Sequence, residues 1–213
     1  MDDNLIWNRA GEKAPVLIMA HGAGAGMGSD FMETMAGLLC DQGITVARFE
    51  FPYMQQRRAT GTKRPPDRQP KLLQCWHEVI QLVKTSSDSP LFIGGKSMGG
   101  RMATLWSAEA SEAFAIKGVV CLGYPFYAPG KQDRPRIEHL SSVSVPHLVV
   151  QGERDRMGDY ATVSGYTLSE NIEITWLADG DHDLKPRKSS GMTHRQHLHQ
   201  AARLVSGFIR RHE

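Results

Sequence analysis

Short runs of consecutive apolar residues alternate along the chain with longer stretches in which apolar residues recur at helical spacing. This alternation predicts a mainly parallel α/β sheet, because the strands of such a sheet are buried on both faces and are joined by helices. The apolar runs that predict strands cover residues 15–20, 44–51, 90–94, 119–123, 147–151 and 172–177. We therefore expect about six mainly parallel strands with helices on both faces of the sheet.

Helices are predicted between these runs and after the last one. Their apolar faces begin near Phe31, Leu72, Met98 and Leu198. Asp30 and Glu33 fit a capping box at the start of the first helix. Residues 53–71 lack a periodic apolar pattern, are rich in arginine, lysine and proline, and predict an irregular basic loop.

The length and composition fit a single folded domain. With 213 residues, of which 40% are hydrophobic, the chain can bury a substantial core, and we expect residues 1–213 to form one domain. The formal net charge of +2 gives no reason to expect nucleic acid as a partner.

The sequence shows no sign of export or of membrane insertion. Its N-terminal residues lack a basic region followed by an apolar one, and no apolar run reaches the roughly 18 residues needed to span a bilayer. Cys40, Cys75 and Cys121 are too few and too far apart for a disulfide framework, so we expect buried free thiols. We therefore expect a cytoplasmic protein without a membrane partner.

A glycine-rich turn follows the third predicted strand and opens a predicted helix. It reads Gly95-Lys96-Ser97-Met98-Gly99, the G-x-S-x-G pattern in which a serine is held at a sharp strand-to-helix turn. The glycines leave room for that turn, and the free amide groups at the helix start face whatever the serine attacks. The pattern therefore predicts Ser97 as a nucleophile.

The same residues also match the end of a phosphate-binding P-loop, G-x-x-x-x-G-K-S. That pattern requires glycine at position 90, where the sequence has Pro90. Residues 91–93 are strand-like and leave no loop to wrap a phosphate. A nucleotide-binding function is therefore not expected.

Residues after two later strands complete the chemistry that a serine nucleophile needs. His182 follows the last predicted strand, where it could take the serine proton and return it to the leaving group. Asp155 follows the strand at 147–151 and could accept the second imidazole N–H, which fixes the tautomer of the ring. Asp159 and Asp133 remain alternatives for this acid.

An oxyanion hole needs backbone N–H donors beside the nucleophile. The amide of Met98, directly after the serine, is one candidate. The loop at residues 21–26 supplies the other, with Ala23 favoured and Gly24 in reserve. This loop does not carry the G-x-G-x-x-G pattern of dinucleotide-binding folds, because the glycines that the pattern requires are missing.

No cofactor or metal site is predicted. His194, His197 and His199 cluster at the start of the last helix, but no carboxylate or cysteine joins them at ligand spacing. We therefore expect these histidines to form an exposed helix face.

Four motifs together resemble a known family. They are His21-Gly22-Ala23-Gly24-Ala25-Gly26-Met27, Phe51-Pro52-Tyr53-Met54, Lys63-Arg64-Pro65-Pro66 and Gly94-Gly95-Lys96-Ser97-Met98-Gly99-Gly100-Arg101. They resemble the α/β-hydrolase-like family named after testis-expressed protein 30 and subunit 3 of the NSL chromatin complex and, more distantly, dienelactone hydrolases. The resemblance covers nearly the whole chain and implies an α/β-hydrolase core without a large cap domain. It implies a nucleophile, an acid and a base at Ser97, Asp155 and His182, but no particular substrate.

Two functions from different classes follow from these patterns. The first is a serine hydrolase that cleaves a small ester, thioester or lactone through an acyl-enzyme at Ser97. The second is a non-catalytic scaffold or binding module that uses the basic loop 53–71, since the resembling family includes scaffold subunits. Within that loop, Arg57, Arg58 and Arg64 are candidates for binding an anionic small-molecule substrate or docking partner. The alternative is a solvated loop whose arginines pair with local acidic residues.

Overall fold

The computed structural model of the protein describes residues 4–213, and residues 1–3 lie outside that description. Its strands are β1 (Leu5–Asn8), β2 (Val16–Ala20), β3 (Thr45–Phe49), β4 (Leu91–Lys96), β5 (Ile116–Leu122), β6 (His147–Gly152) and β7 (Ile172–Leu177). Its α-helices are α1 (Asp30–Cys40), α2 (Pro52–Thr60), α3 (Gln69–Ser86), α4 (Met98–Ala110), α5 (Tyr160–Val163) and α6 (His194–His212).

The strands form one sheet in the order β1-β3-β2-β4-β5-β6-β7. β1 runs antiparallel to β3, and the other neighbouring strands run parallel. At the centre of the sheet, Ile18 of β2 lies opposite Ile93 of β4. Because parallel strands end at the same edge, the loops after β2, β4, β6 and β7 converge there. The predicted class, an α/β-hydrolase fold with a mainly parallel sheet, is confirmed.

Helices cover both faces of the sheet because successive residues of each strand point to opposite sides. Ile18 of β2 belongs to a core with Trp76 of α3 and Met102 of α4. Its neighbour Leu17 belongs to a second core on the other face, together with Phe208 of α6. This burial on both sides explains why β2 is apolar throughout.

No large cap covers the edge where the loops converge. The connection between β5 and β6 contains one short 3₁₀ helix, Glu138–Ser141, and an exposed tip at residues 129–135. Among residues 4–213, none of the helices combines the length and the apolarity that crossing a bilayer requires.

The basic segment at 53–71 is more ordered than the sequence predicts. The expectation of an irregular loop is wrong for its first half, because α2 occupies Pro52–Thr60. Pro52 stands at the first helical position, where a missing N–H leaves no intrahelical hydrogen bond unmade. Only Tyr53 and Met54 of α2 are buried, so the polar remainder of the helix carries no periodic apolar signal.

Three smaller expectations also differ from the structure. The half-buried edge strand β1 was not predicted, because its apolar run, Leu5-Ile6-Trp7, is only three residues long. The capping box at Asp30 and Glu33 is absent, since α1 is capped by Ser29 without a side-chain hydrogen bond. Cys75 and Cys121 are buried free thiols as expected, whereas Cys40 is half-buried.

One buried histidine in the core makes stability depend on pH. His147 begins β6, is 1% exposed, and its Nδ1 lies 2.7 Å from the carbonyl oxygen of Val145. Burial lowers the pKa of His147 to about 4. An unfolded chain binds this proton near pH 6.5, so the folded state carries fewer protons between these pH values. Stability therefore rises with pH across that window and is lost as the pH falls.

We expect the free energy of unfolding in urea to fall between pH 7.5 and pH 5, with about 2 kcal/mol of the loss due to His147. The variant His147→Leu should lose less stability over the same interval, because it has no proton to gain on unfolding. His199→Asn on α6 serves as the matched control and should keep the wild-type pH dependence. An unchanged pH dependence in His147→Leu would contradict this prediction.

Candidate active site

Ser97 occupies a strained turn between β4 and α4. Its backbone angles, φ 52° and ψ −116°, lie in a region that residues other than glycine rarely adopt. A Cβ atom added at Gly95 would lie 2.2 Å from the carbonyl oxygen of Ala20, and one at Gly99 would lie 2.4 Å from the same atom. Glycine is therefore the residue that these two positions require, and the turn lifts Ser97 out of the strand toward the edge where the loops converge.

The structure brings His182 and Asp155 to Ser97 from two separate loops. The loop after β7 places His182 so that its Nε2 lies 2.8 Å from the Oγ atom of Ser97. The loop after β6 places Asp155 so that its Oδ2 lies 2.7 Å from Nδ1 of His182. This is the geometry in which an imidazole can take a proton from a serine while a carboxylate holds the opposite ring nitrogen.

The carboxylate of Asp155 is fully buried and fixed by two donors. The Nε2 atom of Gln151 donates to its Oδ2 at 2.8 Å, and the amide of Met157 donates to its Oδ1 at 2.8 Å. Gln151 also accepts from the amide of Tyr124, so it links the acid to the loop after β5. Gln151 was not singled out from the sequence, although a polar residue at the end of an apolar strand is a signal that could have found it.

The two alternative acids lie in other surroundings. Asp159 caps α5 through the amide of Thr162 and bonds to the hydroxyl of Tyr127. Asp133 pairs at 3.7 Å with the neighbouring Arg134 on the exposed tip. Neither carboxylate is bonded to His182, so Asp155 remains the acid that the geometry favours.

A buried lysine anchors the loop that carries His182. Lys96 lies at the end of β4 and is 7% exposed, and its Nζ donates to the carbonyl oxygen of His182 at 2.6 Å. The same ammonium group lies 3.3 Å from the carboxylate of Asp183. Burial lowers the pKa of Lys96, and the charge of Asp183 opposes that change. From the sequence, Lys96 was considered only as a member of the glycine-rich turn and its motifs, although a charged residue directly after an apolar run was a signal of its own.

A cleft of about 350 Å³ opens beside Ser97. The predicted oxyanion residues Ala23 and Gly24 line it together with His182. Met98 follows Ser97 as the first residue of α4, where a helix has amide groups without intrahelical partners. The rest of the wall is largely apolar and includes Ala25, Phe31, Met32 and Met157.

The three arginines expected to bind substrate do not line this cleft. Arg58 pairs with the buried carboxylate of Glu50 at 2.9 Å. Arg64 bonds to the side chain of Gln56, and Arg57 reaches the carbonyl oxygen of Gly24 at 3.4 Å. Of the three, only Arg57 touches the loop that borders the nucleophile.

The structure gives no support for a metal centre. Within residues 4–213, no group of three or more histidine, cysteine or acidic side chains is arranged to hold a metal ion. The expectation of an exposed histidine face on α6 is wrong for His197, which is 1% exposed. Its Nδ1 lies 2.9 Å from the carbonyl oxygen of Leu184, so His197 joins α6 to the loop that carries His182.

Fold and sheet order together define an α/β hydrolase. The chain belongs to the alpha/beta hydrolase domain family, whose model matches residues 13–210.

Solved structures with the same fold include several hydrolases. Est1E from Butyrivibrio proteoclasticus has a TM-score of 0.74 and 15% identity, with 100% of this chain and 96% of that chain covered. Dienelactone hydrolase from Anabaena variabilis has a TM-score of 0.70 and 16% identity, with coverage of 93% and 87%. A monoacylglycerol lipase from Paleococcus ferrophilus has a TM-score of 0.69 and 13% identity, with 100% of both chains covered.

At 13% to 16% identity, these similarities show the fold alone, and the substrates of these enzymes are not carried over. The family match is what supports a hydrolase in general. The narrower resemblance to the testis-expressed protein 30 and NSL subunit 3 family stays an expectation from the sequence motifs.

Proposed function

We propose that this protein is a serine hydrolase that cleaves a small ester, thioester or lactone through an acyl-enzyme. One observation carries the proposal: the ring of His182 bridges Ser97 at 2.8 Å and the buried Asp155 at 2.7 Å. A histidine with a purely solvated side chain would not be held between a serine hydroxyl and a buried carboxylate. The strained serine turn and the apolar cleft beside it support the same function.

In the first half-reaction, Oγ of Ser97 attacks the substrate carbonyl while Nε2 of His182 takes the serine proton. Asp155 accepts the Nδ1–H bond and stabilises the imidazolium that forms. The carbonyl oxygen becomes an oxyanion, for which we assign the amides of Met98 and Ala23, with Gly24 as the neighbouring donor. The bond to the leaving group then breaks, and that group receives the proton from His182.

In the second half-reaction, water replaces the leaving group. His182 takes a proton from the water molecule, whose oxygen attacks the acyl carbon. The bond between Oγ of Ser97 and the acyl carbon breaks, and the proton returns to Ser97. The products are a carboxylic acid and the free enzyme, so the cycle needs no cofactor.

The cleft favours a small acyl group without charge. Its wall beyond the reacting groups is largely apolar and includes Ala25, Phe31, Met32 and Met157. The ammonium group of Lys96 also lines it, but that charge is paired with Asp183 at 3.3 Å. Burying a charged group against such a wall would require a partner, because desolvating an unpaired charge is costly. The anionic substrate suggested by Arg57, Arg58 and Arg64 is the competing proposal, in which these exposed groups act from the rim of the cleft.

A panel of matched esters separates these two substrate classes. We expect the purified protein to hydrolyse a butyrate ester faster than the succinate monoester of the same alcohol, with little effect of salt. The triple variant with alanine at Arg57, Arg58 and Arg64 should keep the wild-type preference. A faster reaction with the succinate ester that weakens at high salt and in the triple variant would instead support the anionic class, because salt screens exposed charges.

The second candidate function is a scaffold that binds partners without turnover. It is favoured by the exposed segment at residues 61–66, which includes Lys63 and Arg64 and projects beyond α2. A scaffold would show no turnover across the ester panel at any salt concentration. Turnover that depends on Ser97 would remove this candidate as the explanation of the site.

A further inference from the structure

The proposed mechanism leaves one of the sequence motifs without a role. Phe51-Pro52-Tyr53 comprises the residue before α2 and the first two residues of that helix, and it contacts the loop that follows β2. Tyr53 is 2% exposed, and its ring lies 5.9 Å from the ring of His21. Tyr53 does not line the cleft, so a direct contact with substrate does not explain this buried hydroxyl.

Both hydrogen-bond partners of the Tyr53 hydroxyl lie on the loop that borders the nucleophile. It donates to the carbonyl oxygen of Ala23 at 3.0 Å and lies 3.4 Å from that of Gly22. Burial raises the pKa of Tyr53, so the hydroxyl keeps its proton and remains a donor.

His21, the first residue of this loop, also holds it through its buried ring. The amide of Phe51 donates to Nε2 of His21 at 3.2 Å, which leaves the ring proton on Nδ1. That Nδ1–H donates to the carbonyl oxygen of Gly22 at 2.6 Å. Two consecutive carbonyl groups, those of Gly22 and Ala23, are therefore turned toward buried donors.

The direction of these carbonyls fixes the direction of two amides. In a planar trans peptide, the C=O of one residue and the N–H of the next point in opposite directions. With the carbonyls of Gly22 and Ala23 directed at Tyr53 and His21, the N–H groups of Ala23 and Gly24 point away from the interior. Both residues line the cleft beside Ser97, and within residues 4–213 neither amide is used in another hydrogen bond.

We propose that Tyr53 is a positioning residue that holds the peptides of the 22–24 loop so that the amides of Ala23 and Gly24 face the oxyanion. This inference rests on the proposed function, because the oxyanion forms only if Ser97 attacks a carbonyl. Donors that are already oriented need no rearrangement when charge develops, which is the property that makes an oxyanion hole effective. Without the hydroxyl, the carbonyl of Ala23 would lose its buried partner, and the peptide that carries the Gly24 amide could rotate.

The test compares Tyr53→Phe with the wild-type protein. The variant keeps the ring and removes only the hydroxyl. We expect kcat for a neutral short-chain ester to fall about tenfold, less than the roughly hundredfold loss for deleting an oxyanion donor outright. KM should stay within about twofold, because the amides act on the transition state rather than on the bound ester.

A second readout distinguishes orientation from a general loss of structure. An alkyl boronic acid forms a tetrahedral adduct with a nucleophilic serine and places an oxygen where the oxyanion would lie. Its affinity should fall by about the same factor as kcat, while the affinity for the matching carboxylic acid product stays unchanged. Tyr127→Phe removes another buried hydroxyl, one that bonds to Asp159, and should leave both affinities at wild-type values.

The outcomes separate this inference from the proposed function. A wild-type protein that neither hydrolyses esters nor binds the boronic acid would overturn both. An active wild type with unchanged kcat and boronic acid affinity in Tyr53→Phe would overturn the role of Tyr53 alone. If the phenylalanine variant does not fold, Tyr53→Leu, which also lacks the hydroxyl, takes its place, and an unchanged boronic acid affinity in that variant would likewise overturn the role of Tyr53.

Discussion

Replacing Ser97 with alanine should lower kcat for ester hydrolysis by about 10⁴-fold to 10⁶-fold, because no other group can form the acyl-enzyme. The backbone at this position should be preserved, since alanine has the same Cβ atom as serine and the strained turn is fixed by its glycine neighbours. The thermal midpoint should therefore stay close to that of the wild type. Kinetics and thermal unfolding of the purified variant measure both expectations.

A fluorophosphonate probe provides the complementary measurement. The wild-type protein should be labelled once, at Ser97, and Ser97→Ala should not be labelled. Ser107→Ala is the matched control, since it removes a buried serine hydroxyl from α4, the same helix that Ser97 caps. Turnover of Ser97→Ala at the wild-type rate, or labelling at another residue, would show that the nucleophile is wrongly assigned.

The second large effect should come from the groups that activate the serine. His182→Ala is expected to lower kcat by about 10⁵-fold to 10⁶-fold, and Asp155→Asn by about 10⁴-fold. The histidine change is larger because the imidazole moves the protons, whereas the aspartate holds the ring and its tautomer. The variant asparagine could present an N–H group to Nδ1 of His182 and so favour the wrong tautomer.

Asp159→Asn is the control for this pair. Asp159 bonds to Tyr127 and caps α5, so its change should alter stability more than turnover. We expect kcat of Asp159→Asn to stay within about threefold of the wild-type value, a change far smaller than the loss expected for Asp155→Asn. A damaging Asp159→Asn combined with a harmless Asp155→Asn would move the role of the acid to Asp159.

The sheet could be predicted from the sequence because its central strands are buried on both faces. Continuous apolar runs such as 147–151 and 172–177 mark those strands, and β7 has the predicted bounds. The candidate triad could be predicted because each residue lies in the turn or loop that follows such a strand. In a parallel sheet, the topology alone then brings Ser97, Asp155 and His182 to one edge.

The two elements that the sequence did not predict, α2 and β1, have only weak local patterns of apolar residues. α2 buries only Tyr53 and Met54, so its apolar signal ends within one turn. β1 has three half-buried residues and one exposed residue, Ile6, and it is held in place by pairing with β3 rather than by burial on both faces. In both cases, contacts with other parts of the chain decide the conformation.

The supporting residues of the site could not be derived from spacing. Lys96 meets His182 across 86 positions of sequence, and Tyr53 meets Ala23 across 30. Gln151 and Asp155 are four residues apart, yet their contact depends on the turn after β6. The sequence can mark such residues as polar groups in buried elements, but only the folded arrangement tells which group each of them holds.

The exposed tip at residues 129–135 has a consequence for redesign of the protein. It lies on the connection between β5 and β6, and Gly130 turns the chain there with φ 72°. The buried part of that connection is anchored outside it, since the amide of Tyr124 donates to the side chain of Gln151 and the amide of Tyr127 donates to the carbonyl oxygen of Met157. Extra residues grafted into the tip would therefore leave these anchors in place. A cover domain added here offers a route to new substrate selectivity while the reactive groups keep their scaffold.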